Sequence, residues 1–137
     1  DLIAELVANG IAGSRVVQLQ VAGAFHTPFM AEAVDALSEF ASTLSVNDPR
    51  IALWSNKDGR LVTSGREALD LLVGQVANPV RWDLCMSSME QAGVNAFVEL
   101  APGGALAGLA KRGMVGTEIV ALKTRENLEA ATTLLSN

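Results

Sequence analysis

Apolar residues recur along this chain in two alternating rhythms, one of period two and one of threes and fours, and their alternation predicts the fold class. From Arg15 to Val21 the apolar residues Val17, Leu19 and Val21 share one face, which is strand periodicity. Phe29, Ala33, Leu37, Phe40 and Leu44 follow at spacings of four and three and predict a long helix to about Ser45, its aromatics turned into the core. Thr27 is placed to cap that helix and Pro28 fits its first position. Beyond Pro49, Ile51 to Trp54 and Arg60-Leu61-Val62 read as short strands joined by the turn Asn56-Lys57-Asp58-Gly59.

The second half repeats the alternation with clearer punctuation. Ser64-Gly65-Arg66-Glu67 is a capping box, and the helix it starts buries Leu69, Leu72, Val73 and Val76 before Asn78-Pro79 breaks it. A further helix turns Trp82, Cys85, Met86 and Met89 inward and stops at Gly93. Val94 to Leu100 is a strand, Pro102-Gly103-Gly104 a turn into a short helix ending at Arg112, Thr117 to Leu122 the last strand, and Thr124 the cap of a closing helix. Strands separated by helices of this length predict an α/β architecture with parallel pairing. At the other end, Asp1 to Val7 reads as a helix stopped by Asn9-Gly10. With no initiator methionine and no polar lead-in, the chain reads as part of something longer.

Composition narrows the function classes. Half of the 137 residues are hydrophobic and 18% are charged, the balance of an ordinary soluble globular domain. No apolar run approaches the roughly 20 residues that a membrane span needs, and no signal segment opens the chain, so no membrane partner is expected and a cytoplasmic location is the default. A net charge of −5, with no basic cluster longer than Lys111-Arg112, argues against a nucleic-acid partner. Cys85 is the single cysteine and sits in an apolar helical pattern, which makes it buried filler; with one histidine beside it, no metal site of the usual zinc kind can form.

The residue that invites chemistry is that histidine. His26, in Ala22-Gly23-Ala24-Phe25-His26-Thr27, follows an apolar strand and precedes a Pro-started helix, a junction that holds a side chain at the rim of a sheet. An imidazole there suits a positioned base, although a turn histidine with a satisfied hydrogen bond fits the same pattern. The Gly-rich run Pro102 to Gly108 matches neither dinucleotide nor P-loop spacing, and a tight turn explains Gly103-Gly104 sufficiently. No serine lies in a G-x-S-x-G pattern; Ser55, Ser87 and Ser88 read as structural. Asp58 belongs to a turn, Asp83 and Glu90 to solvated helix faces and Glu99 to a strand, so no carboxylates pair at a telling spacing.

Four segments together resemble the malonyl-CoA:acyl carrier protein transacylase family, and most nearly a freestanding, actinobacterial-type member. They are Val21 to Thr27, Trp54 to Gly59, Gln75 to Trp82 and Glu99 to Arg112, in the family's order and across nearly the whole chain. The resemblance implies an α/β-hydrolase-like acyltransferase fold, of which this would be the C-terminal part. Residues 1–21 would end a small ferredoxin-like subdomain and residues 22–137 form the returning half of the hydrolase-like one. It also implies that His26 is the general base of a Ser–His pair, oriented by the backbone carbonyl of Gln75 instead of an acid. Phe25 would crowd an α-methyl branch and so select malonyl, with a core phenylalanine as the plain alternative.

The same resemblance implies malonyl-CoA and acyl carrier protein as partners, no cofactor, and a serine, an oxyanion-hole Gln and a carboxylate-pairing Arg in an N-terminal part of the enzyme. Without those residues the chain alone should not catalyse transfer. Two other readings stand beside it: the acyltransferase portion of a multidomain polyketide synthase, and a non-catalytic binding module that keeps the fold.

Overall fold

A computed structural model of the chain describes residues 4–5, 8–10 and 23–136. The strand read at Arg15 to Val21 lies outside them. So do most of residues 1–21, the expected ferredoxin-like end. Residues 4, 5 and 8 are helical, and the Asn9 N–H donates to the Glu5 carbonyl at 2.9 Å, as a helix reaching its end before Gly10 requires.

Helix α1 (Ala31–Ser42) follows a single 3-10 turn, Pro28–Met30, with Pro28 at the position where its missing N–H costs nothing. Thr27 has the extended backbone of a cap, but its hydroxyl donates backward to the Ala24 carbonyl at 2.6 Å and caps no helical N–H. Two expectations are corrected here. The helix ends at Ser42 and not at Ser45, and its aromatic stripe is not core: Phe29 is 89% and Phe40 62% exposed, with Ala33, Leu37 and Leu44 exposed as well. The face α1 lays against α2 (Gly65–Gln75) is narrower, and Ala41 is its buried residue.

Ser64 caps α2 by accepting from the Glu67 N–H at 3.4 Å. The reciprocal half of the capping box does not form, because the Glu67 carboxylate pairs with Arg60. Asp48 Oδ1 instead accepts from the Gly65 N–H at 2.8 Å, a second cap from a distant loop. Val73 is buried in the predicted stripe, whereas Leu72 is exposed. The two expected strands at Ile51 to Trp54 and Arg60 to Val62 reduce to one antiparallel bridge between Trp54 and Leu61 around the predicted turn. Gly59 takes φ +73° there, and a Cβ on it would lie 2.5 Å from the Leu84 carbonyl, so the turn needs glycine twice over.

That turn is tied to α3 (Trp82–Gln91): the Arg81 N–H donates to the Asn56 carbonyl at 2.7 Å and the Cys85 thiol to the Ser55 carbonyl at 3.2 Å. Cys85 is 1% exposed, the filler its pattern predicts; Trp82, Met86 and Met89 around it are only half-buried. The sheet is a parallel pair, β1 (Ala96–Glu99) and β2 (Glu118–Ala121), in register from Ala96 opposite Glu118 to Glu99 opposite Ala121. Both strands are shorter than their apolar runs. Helices α4 (Ala105–Gly113) and α5 (Asn127–Ser136) contact the pair, and Ala107, Ala110, Met114 and Ala131 are buried there. Thr124 does not start α5; the Asn127 side chain accepts from the Lys123 and Thr124 N–H groups, and the helix begins at Asn127. The architecture is α/β, with the parallel pairing that the alternation predicts.

Candidate active site

His26 stands on the segment that leads into α1 and is clamped to the C-terminal end of α2. Its backbone N–H donates to the Val76 carbonyl at 2.9 Å, and its ring Nδ1 lies 2.7 Å from the Gln75 carbonyl oxygen. A carbonyl can only accept, so Nδ1 carries the proton and the neutral ring leaves its lone pair on Nε2. The residue is exposed, and among the described residues only Nδ1 has a hydrogen-bond partner. Chemically this is a base held in one tautomer with its acceptor nitrogen free. The carbonyls that hold it are at the C-terminal end of α2, which presents the negative end of the helix dipole to a ring that becomes cationic on taking a proton.

The backbone of His26 is unusual in a way its sequence position does not disclose. Its φ is +64°, in the left-handed region that L residues other than Asn, Asp and His seldom enter. Such a conformation costs about 1–2 kcal/mol and persists where neighbouring contacts over-determine it. The two bonds to residues 75 and 76 are such contacts. They link segments far apart in sequence, so neither local pattern announces them.

Gln75 therefore joins His26 as the resemblance implies, through its main chain. Its side chain, 8% exposed, turns the other way and spends both amide protons on the turn after α2, donating to the Asn78 carbonyl at 2.8 Å and the Pro79 carbonyl at 3.0 Å. The Asn78 amide in turn donates to the Gly74 carbonyl at 2.7 Å. Phe25, next to His26, is 54% exposed and so is not a core ring among the described residues. A cavity of about 490 Å³ is lined by Leu53, Trp54, Leu69, Leu72 and Gln75 among others, and His26 does not line it.

The Gly-rich run is not a phosphate cradle. The Glu99 carboxylate, at the end of β1, already occupies the N-terminus of α4, accepting from the N–H groups of Gly104 at 2.7 Å, Ala107 at 2.8 Å and Leu106 at 3.0 Å. Those bonds, the Ala107 one foremost, with Lys123 nearby, hold its pKa below the usual glutamate value. Gly103 is needed for close approach, since a Cβ there would meet the Leu122 carbonyl oxygen at 2.9 Å. Sequence reasoning leaves Glu99 as an ordinary strand residue. The available signal is that Gly104, the residue before α4, has no side chain with which to cap it. Cys85 offers no nucleophile either, because burial, with Asp58 and Asp83 nearby, pushes its thiol pKa up.

No family model matches the chain. Individual proteins do. It is 44% identical over 125 residues to the malonyl CoA-acyl carrier protein transacylases of Mycobacterium bovis and Mycobacterium tuberculosis, an alignment covering 91% of this chain and 41% of each relative. A crystal structure of the Mycobacterium tuberculosis enzyme superposes with a TM-score of 0.83 at 43% identity, covering 93% of this chain and 42% of that one. A malonyl-transacylase solved in complex with a type II polyketide synthase acyl-carrier protein superposes with a TM-score of 0.79 at 29% identity, covering 92% and 40%. The chain thus spans about two-fifths of the length of the relatives it matches.

Proposed function

We propose, for a chain that belongs to the malonyl CoA-acyl carrier protein transacylase family and spans about two-fifths of its relatives' length, that His26 is the general base of malonyl transfer from CoA to acyl carrier protein. The observation that carries the reading is the bond from His26 Nδ1 to the Gln75 carbonyl at 2.7 Å, which leaves Nε2 as the acceptor. In the first half-reaction Nε2 takes the proton of a serine hydroxyl, the serine oxygen bonds to the thioester carbonyl carbon, and the carbon–sulfur bond breaks. The departing CoA sulfur takes the proton from Nε2. In the second half the carrier thiol gives its proton to Nε2 and attacks the seryl ester, and the serine oxygen leaves with that proton.

The serine is proposed to come from an N-terminal part of the same enzyme, which the four matched segments do not include. Residues 22–137 would then be the returning half of the hydrolase-like subdomain, and residues 1–21 the end of the ferredoxin-like one. Phe25, exposed beside His26, is the side chain proposed to select malonyl over a branched acyl group. Among the described residues no helix is long and apolar enough to cross a membrane; a cytoplasmic site of action is part of the proposal.

The test is acylation of the full-length protein that carries this segment. Intact-mass spectrometry after mixing with malonyl-CoA should show one malonyl group on a serine, formed on the order of 10²–10⁴ times more slowly in His26→Ala. The 137-residue chain alone should take up none. A malonyl adduct on this chain, on Cys85 or on any of its serines, refutes the assignment, as does a His26→Ala rate within a few-fold of wild type. Absence of any serine adduct in the full-length protein would favour the non-catalytic module instead.

A further inference from the structure

Three of the hydrogen bonds that Gln75 makes converge on one geometry. Its carbonyl oxygen accepts from His26, while its buried side chain gives one amide proton to each of the Asn78 and Pro79 carbonyls. Pro79 has no N–H and the residues after Gln75 leave the helix, so the chain from 75 to 79 lacks the regular ladder that would fix the direction of its carbonyls. The backbone bonds that remain are long, at 3.3 Å each from Val76 to Val73, Ala77 to Gly74 and Asn78 to Gln75. The side-chain bonds are shorter than these.

We infer that the side-chain amide of Gln75, and not only its main chain, is a positioning residue for His26: by pinning the turn at Asn78 and Pro79 it aims the Gln75 and Val76 carbonyls at the ring and backbone of His26. The inference rests on the reading of His26 as the base. Its physical content is separate, because an amide donor two bonds removed from the imidazole fixes which ring nitrogen carries the proton whether or not that ring is catalytic. Removing the donor loosens both carbonyls together, and the neutral ring then samples both tautomers.

The experiment is made on the full-length protein with ¹⁵N-labelled histidine, His26 being assigned by the resonances lost in His26→Ala. In the unaltered protein with the ring neutral, Nδ1 should resonate as a protonated nitrogen and Nε2 as an unprotonated one. In Gln75→Met and Gln75→Glu, which keep the length and remove the N–H donors, the two resonances should move toward each other. With them kcat should fall about tenfold to a hundredfold while KM for malonyl-CoA stays within about twofold, the pattern of a misplaced catalytic group. Unmoved ring resonances in a folded variant overturn the inference, whatever the rate does. Moved resonances with unchanged kcat keep Gln75 as the holder of the ring and strike instead at His26 as the base. Should neither variant fold, solvent exchange of the Gln75 amide protons in the unaltered protein decides: strong protection supports the two bonds, and exchange at the rate of a free amide overturns them.

Discussion

Replacing His26 by glycine separates its proposed work as a base from its place in the fold, because the backbone there is left-handed and glycine alone enters that region freely. At φ +64° the histidine pays about 1–2 kcal/mol relative to a relaxed residue, which glycine recovers. Against that, the variant loses the Nδ1 bond to the Gln75 carbonyl, worth about 1 kcal/mol net. It also loses about 0.5–1 kcal/mol to the greater freedom of an unfolded glycine. The backbone N–H bond to Val76 survives, since glycine keeps its N–H. The sum lies within about 1 kcal/mol of zero. Malonyl transfer should nevertheless fall by on the order of 10²–10⁴, equivalent to about 3–5 kcal/mol of transition-state stabilisation. His26→Ala, which loses the same side-chain bond and keeps the strained angle, should be the less stable of the two by about 1 kcal/mol. Urea unfolding of the full-length protein and its two variants, beside a transfer assay to carrier protein, reads both quantities. A glycine variant less stable than the alanine one refutes the backbone argument, and one that transfers within a few-fold of wild type refutes the catalytic one.

Glu99→Gln should flatten the acid limb of the stability profile. The folded carboxylate has a depressed pKa, so its contribution is present above the usual glutamate value and is lost as pH falls through the folded one; melting temperatures in the variant that decline in acid as steeply as wild type's would sink the idea. Gly65→Ala should destabilise by about 1–3 kcal/mol, because its Cβ would fall 2.1 Å from the Asn47 carbonyl oxygen. Gly108→Ala, inside α4 with nothing near, should stabilise by about 0.5–1 kcal/mol, and equal unfolding midpoints for the pair would contradict the packing described. Phe25→Ser should raise methylmalonyl relative to malonyl transfer by a factor reflecting one methyl, about 1–3 kcal/mol at most; an unchanged ratio of kcat/KM values in a folded variant would remove Phe25 from selection.

Periodicity and punctuation were enough to read α2, α3, the Asn56 to Gly59 turn, the parallel strands and the burial of Cys85, because each is governed by residues close in sequence. The errors arise where a residue of the expected type meets a competing partner, near or far in sequence, that its pattern does not show. Thr27 has the residue type of a cap and uses its hydroxyl elsewhere; Glu67 has the spacing of a capping box and meets Arg60 first. The stripe from Phe29 to Leu44 has helical period, but period says which residues share a face and not what that face meets. At the site, the pairing of His26 with Gln75 was legible only through family resemblance, since 49 residues separate them. The left-handed angle and the Gln75 amide were not legible at all, and the Glu99 cap only as the lack of a capping side chain at Gly104.

The buried apolar side chains among the described residues are Ala41, Val62, Val73, Cys85, Ala107, Ala110, Met114 and Ala131. Alanine contributes one methyl apiece, so an interior this rich in it excludes little water, while Phe29, Ile51, Leu72 and Val115 remain mostly wet. Under the proposed reading, in which an N-terminal part of the enzyme packs on this segment, the segment and the unit of cooperative unfolding are different objects. Its denaturant slope, read on 137 residues, should be shallow for that length, since the slope follows the area exposed on unfolding. A substitution such as Phe40→Ser, on a ring that is 62% exposed here, would pass nearly unnoticed in the isolated chain. The same change in a protein that covers that ring would be felt as a core mutation, and which residues count as surface depends on how much of the protein is present when the question is asked.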